Sequence, residues 1–130
     1  MRYSKQQETV GNNMKRPETP KKKTFWMLDN VKAFMRNQPG EVKQELNGLI
    51  FQLERNGYLN YPNAEKIEGE DLFAIRVIQT GNVRIFYVYG IKDFVIGIHG
   101  YVKKTEQIPA KELNVARIIL KKLTQGGFIK

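Results

Sequence analysis

Residues 71–101 read DLFAIRVIQTGNVRIFYVYGIKDFVIGIHGY. Three runs rich in β-branched and aromatic residues, 71–79, 83–90 and 94–101, are separated by the turn stretches TGN and IKD. Runs of this length and composition, bounded by Gly, Asn and Asp, read as strands. The connections are too short for a crossover helix, so the three strands form an antiparallel meander.

Strand side chains alternate between faces. Phe73, Ile75 and Val77 share one face of the first strand, and Leu72, Ala74, Arg76 and Ile78 the other. In the second strand Arg84, Phe86 and Val88 oppose Val83, Ile85, Tyr87 and Tyr89. Two arginines thus interrupt apolar strands. An unpaired buried guanidinium is very unfavourable, so each faces water or a partner. Neighbouring strands run ~4.8 Å apart, which lets Arg76 and Arg84 converge on one anion if the register allows. The plain alternative is a salt bridge to Glu70, Asp71 or Glu112.

The third strand ends in the chain's single histidine, His99, followed by Tyr101, Lys103 and Lys104. Taken singly, His99 reads as a structural strand residue, Tyr101 as core or rim, and the lysine pair as a solvated strand end. Together with two arginines they read as a phosphate-handling cluster. Gly97 and Gly100 flank His99 and mark a bulge or a close backbone approach.

Outward from the meander, TFWML at 24–28 reads as an opening strand. Asp29 or Asn30 then caps a short helix that turns Val31, Phe34 and Met35 to one side. Pro39 and Gly40 break it. Val42, Leu46, Leu49, Ile50 and Leu53 recur at helical spacing up to Gly57, a natural C-terminal stop. The two helices make a helical hairpin, and residues 58–70 read as a loop. After the meander, Pro109 suits the first turn of a last helix. Its apolar stripe is Leu113, Ala116, Leu120 and Leu123, widened by Val115, Ile118 and Ile119. The fold class is α+β: strand, helical hairpin, three-stranded antiparallel meander and C-terminal helix, with the helices packed on one sheet face and the other partly open.

The chain has 130 residues, enough for one domain, residues 24–130. Residues 1–23 carry Pro17, Pro20 and a KKK run and too little apolar surface to offset the entropy of ordering, so they read as a flexible basic arm. No cysteine and one histidine argue against disulfides and a transition-metal site, and no cofactor is implied. No run reaches the ~20 apolar residues of a membrane span, and the N-terminus lacks the apolar core of a secretory signal, which makes a cytoplasmic protein the default. Lys and Arg number 22 against 13 acids, a net charge of +9. Such an excess points to a polyanionic partner, nucleic acid ahead of membrane.

Three stretches in order, KIEGEDLFAIRV (66–77), VRIFYVY (83–89) and IHGYVKKTEQIPAKELNVARIIL (98–120), resemble the RelE/ParE toxin superfamily in its phage-derived HigB-like branch. The likeness covers about residues 25–124. Ala74 stands where that branch commonly has glutamate, and Tyr101 where it has phenylalanine. The resemblance implies the toxin of a type II toxin–antitoxin system, a metal-independent mRNA endoribonuclease (mRNA interferase) that acts on ribosome-bound mRNA. It also implies a cognate antitoxin with a helix-turn-helix DNA-binding domain. Two alternatives stay open within the superfamily: a ParE-like gyrase inhibitor without nuclease activity, and an inactive nucleic-acid-binding relative.

Cleaving RNA without metal requires a base for the 2′-hydroxyl, cations for the charge on the phosphorane and an acid for the leaving 5′-oxygen. By position in the resembling motifs, Arg84 is expected on the transition-state phosphate and Arg76 on phosphate near the base. Lys103 and Lys104 serve as acid or phosphate ligand. Neighbouring cations lower a lysine's affinity for its proton, which also makes a lysine a candidate base. His99 is a further candidate for proton transfer, Tyr101 stacks on a base or orients a proton, and Lys66 contacts RNA outside the core site.

Overall fold

The structure is a computed structural model that describes residues 20–129. Of the expected arm, residues 1–19 lie outside the described residues; Lys22 and Lys23 donate their backbone N–H groups to the Glu54 carbonyl at 2.9 and 3.1 Å. The elements follow in the order β1 (Thr24–Met27), α1 (Asp29–Arg36), α2 (Gly40–Asn56), β2 (Ala64–Lys66), β3 (Phe73–Arg76), β4 (Val83–Tyr89), β5 (Phe94–Val102) and α3 (Ala110–Gln125). The α+β class, the helical hairpin and the antiparallel meander are as the sequence predicts.

The strands form one sheet in the order β1-β5-β4-β3-β2. β1 runs parallel to β5, and every other neighbouring pair is antiparallel. β2 falls in the stretch expected to be a loop. It has only three residues, too few for a visible alternation, and exists by pairing with β3. β3 is shorter than the expected 71–79 because its continuation leaves the ladder: the N–H groups of Ile78, Gln79 and Thr80 donate instead to the Glu45 carboxylate on α2 at 2.9–3.2 Å. Partial burial pushes the Glu45 carboxyl up, but these bonds and the Thr80 hydroxyl together outweigh it and hold it below the usual carboxylate range.

The helices do not share one face, which corrects the sequence expectation. Val31 and Met35 of α1 and Val42, Leu46, Leu49 and Leu53 of α2 pack on Ile75, Val83, Ile85, Tyr87 and Val95. Ala116 and Leu123 of α3 pack on the opposite face, against Ala74, Phe86, Val88, Ile96 and Ile98. The reason is compositional. Both side-chain rows of the central strands are apolar, so a sheet covered on one side would leave Phe86, Val88, Ile96 and Ile98 in water.

Local signals mostly hold. Gly57 ends α2 in the left-handed region, φ 87°, with its N–H on the Leu53 carbonyl. Pro109 is the N-cap of α3. At α1 the cap is Leu28, with no side-chain cap bond; Asp29 is already helical, and the Asn30 amide donates to the Ile98 carbonyl at 2.9 Å. Ile118 is 58% exposed and lies off the α3 stripe.

Both glycines flanking His99 have the expected backbone roles. A register shift between Phe86 and Tyr87 pairs Phe86 with His99 and Tyr87 with Gly97, leaving Ile98 as the extra residue of a bulge. A Cβ at Gly100 would stand 2.5 Å from the Phe34 ring, so the backbone passes directly over that ring. The bulge decides the site. Ile96 faces α3, and uninterrupted alternation would turn residues 98, 100 and 102 to that side. The extra residue keeps Ile98 on that side and turns His99 and Tyr101 there in place of residues 100 and 102, opposite Phe86 and Arg84.

Candidate active site

α3 covers only part of its sheet face. Beyond its N-terminus a cleft of about 340 Å³ remains open, walled by Glu65, Arg76, Arg84, Tyr101, Lys103 and Glu106, with Ile67 and Ile108 at its apolar edge. Three strands supply its floor. Arg76 of β3 is the cross-strand partner of Arg84 of β4, and Arg84 is the partner of Tyr101 of β5. The two arginines therefore rise from neighbouring positions on one face and line the same cleft, as convergence on a single anion requires.

Arg84 is the most constrained of these groups. It is 4% exposed, and among the described residues its guanidinium makes one hydrogen bond, from Nη1 to the Val83 carbonyl at 3.3 Å. Burial first, and the Arg76 charge second, pull its proton affinity below that of a free guanidinium. Arginine still keeps its proton, so the strain appears as a buried charge that gains from an incoming anion.

Arg76 lies over the Tyr61 ring, 5.6 Å from its centroid, and its Nε stands 3.6 Å from Glu65 Oε1. That distance is an ion pair and too long for a hydrogen bond; Arg76 Nε is buried without a hydrogen-bond partner. The acids that offered the plain alternative are occupied elsewhere or unpaired with either arginine: Glu70 holds Arg117 at 2.5 Å, and Glu112 holds His99. Tyr101 is 5% exposed, and burial pushes its phenol up, so it stays protonated and has a hydrogen to donate.

The remaining expected site residues separate. Lys103 lines the cleft and also an adjoining groove of about 380 Å³, whereas Lys104 lines the groove alone, with Asn82, Thr105 and Glu106. Arg84 borders both spaces. His99 is outside the cleft lining. Its ring sits beside Phe86 and Tyr101 in a cluster of three neighbouring rings, with their centroids 6.4 and 6.5 Å away, and its Nε2 lies 2.7 Å from the Glu112 carboxylate on the first turn of α3. It ties α3 to the strand that carries Tyr101. Lys66 reaches the cleft edge, but its ammonium donates to the Glu70 and Ile67 carbonyls and lies over the Phe73 ring. A separate cavity of about 300 Å³ on the other side of the sheet, walled by Met27 and Met35 with Lys32, Arg36 and Lys43 at its rim, contains none of these residues.

The family model for the phage-derived Gp49-like proteins (DUF891) matches residues 33–121. The chain belongs to the Gp49-like family. The family is toxin-like and related to RelE and HigB. The match runs from α1 into α3 and contains every cleft residue named above. No curated protein matches the chain at a significant level. No helix among the described residues of this Gp49-like protein is long and apolar enough to cross a membrane.

Sequence reasoning missed Glu65, Glu68 and Glu106, the carboxylates of the cleft. Glu65 belongs to the unrecognised β2, and only the β2–β3 register shows it on the face of Ala74, its cross-strand partner.

Proposed function

We propose that this Gp49-like protein is the toxin of a type II toxin–antitoxin pair and cleaves mRNA by attack of the ribose 2′-hydroxyl on the adjacent phosphate, acting on ribosome-bound message and held in check by an antitoxin with a helix-turn-helix domain. One observation carries the reading: a nearly buried guanidinium, Arg84, with no carboxylate of its own, beside Arg76 on an open cleft wall.

The chemistry follows from the positions. The phosphate sits against Arg84 and Arg76, whose fixed charges stabilise the two negative charges of the phosphorane. Tyr101 donates its phenolic hydrogen to a phosphate oxygen. Lys103, shared by the cleft and the groove, protonates the leaving 5′-oxygen. Lys104 holds the next phosphate of the chain in the groove. No step calls for a metal. The products are a 2′,3′-cyclic phosphate and a 5′-hydroxyl.

Expression without antitoxin tests the reading. Growth arrest with discrete cuts in messenger RNA, both absent in a folded Arg84→Ala variant, is the expected result. Growth arrest with intact transcripts and a DNA-damage response would favour the gyrase-inhibitor reading instead.

A further inference from the structure

The cleft has cations for the phosphate and donors for the leaving oxygen; the reaction also needs a group that takes the 2′-hydroxyl proton. Arg76 and Arg84 have no lone pair to offer. Tyr101 is held as a phenol by burial. A lysine ammonium must first lose its own proton. The other proton acceptors on the cleft wall are the carboxylates of Glu65, Glu68 and Glu106.

These three are not equivalent. Glu68 and Glu106 are exposed residues of loops. Glu65 is fixed on β2, with its backbone in register with Ala74, so its side chain rises on the face that carries Arg76 and Arg84. It stands 3.6 Å from Arg76 Nε, close enough to be oriented and too far for its lone pairs to be consumed by that hydrogen bond. Its side chain is 38% exposed, so a substrate hydroxyl can reach it. It lines the same cleft as Arg84 and Tyr101.

We propose that Glu65 is the general base of the cleft, a role that rests on the nuclease reading above. The Glu65 carboxylate takes the 2′-hydroxyl proton as the 2′-oxygen forms its bond to phosphorus. The bond from phosphorus to the 5′-oxygen breaks, and that oxygen takes a proton from the Lys103 ammonium. Glu65 then releases its proton to solvent and Lys103 regains one, so the enzyme returns to its starting state.

The test uses the purified full chain, free RNA and programmed ribosomes, with Glu65→Gln, Glu65→Ala, and Glu68→Gln and Glu106→Gln as controls. Binding is measured on an RNA carrying 2′-deoxyribose at the cut site. The expected result is that Glu65→Gln slows cleavage by at least ~100-fold with binding within ~3-fold of the parent, while both controls stay within ~10-fold. Added formate should restore at least ~10-fold of the rate lost in Glu65→Ala and nothing in Glu65→Gln, because only the alanine leaves space for a substitute carboxylate. Rescue separates proton transfer from a role in merely orienting Arg76. A cleaving parent with an equally active Glu65→Gln, or an alanine variant that formate does not restore, overturns the assignment of the base alone. A folded parent that cuts no RNA in either form overturns the nuclease reading, and this assignment with it.

Discussion

Replacing Arg84 with methionine should abolish cleavage without destabilising the protein. Cross-strand neighbours sit ~5 Å apart at Cβ, and two like charges held ~6 Å apart at an effective dielectric of ~20 repel by roughly 3 kcal/mol; burial, and after it the Arg76 charge, accordingly lower the proton affinity of Arg84. Against this, Arg84 makes one long hydrogen bond, to a carbonyl next to it in the chain. Methionine keeps the aliphatic stem packed and removes both the repulsion and the cost of a buried charge. Exchanging a buried charge for a well-packed apolar side chain is commonly neutral or stabilising by about 1–4 kcal/mol. Arg84→Met should therefore unfold in urea with a free energy equal to the parent's or higher by about 1 kcal/mol. Loss of one preorganised charge from the phosphorane should meanwhile slow cleavage ~100- to 1,000-fold. Inorganic phosphate provides a second readout: it should raise the parent's unfolding midpoint by binding the folded state, and should raise that of Arg84→Met far less. A loss of ~2 kcal/mol or more in the variant would show that the guanidinium props up the fold, and the anion-site argument would fail.

Further outcomes follow from the same geometry. Lys103→Ala should reduce cleavage about 100-fold and Lys104→Ala about tenfold or less, measured as single-turnover rates; equal effects would dissolve the division between cleft and groove. Glu45→Ala should lower stability by about 1–3 kcal/mol, because three backbone N–H groups lose a charged acceptor. The folded-state pKa of Glu45 lies below its unfolded value, so this contribution is complete above the unfolded value near 4.5 and fades as pH falls through the folded one; parent and variant stabilities should converge in acid, and a constant difference would refute the linkage. His99→Ala should reduce cleavage less than ~10-fold, since the imidazole acts through the α3 tether; a ~1,000-fold loss would make it a chemical participant. Gly100→Ala should cost about 1–3 kcal/mol in chemical denaturation by forcing the Phe34 ring aside.

The sequence makes the meander, α2 and α3 legible because each has a strong period and a physical stop: TGN, Gly57, Pro109. It is silent on which face α3 takes. Both rows of β4 are apolar in the sequence and so call for cover on both faces, but which helix covers which row emerges only from the packing. β2 is illegible because three residues carry no period, and with it Glu65 is lost from view. The bulge is half legible. Gly97 and Gly100 signal an irregularity, but only the β4–β5 pairing shows that it turns His99 and Tyr101 toward α3. The arginine pair is the reverse case: two charges in apolar strands are visible at once, and the register then makes them direct partners. Lys103 and Lys104 look alike in sequence and part company only where the strand ends.

The proposed chemistry requires Arg76 and Arg84 to hold one phosphate between them. A crystal structure of the protein with a short RNA carrying 2′-deoxyribose at the cut site tests it most directly. One phosphate should lie within ~3 Å of both guanidiniums, with the deoxy C2′ carbon facing Glu65. RNA bound with its backbone on the Lys32, Arg36 and Lys43 rim, or a phosphate held by neither arginine, would contradict it.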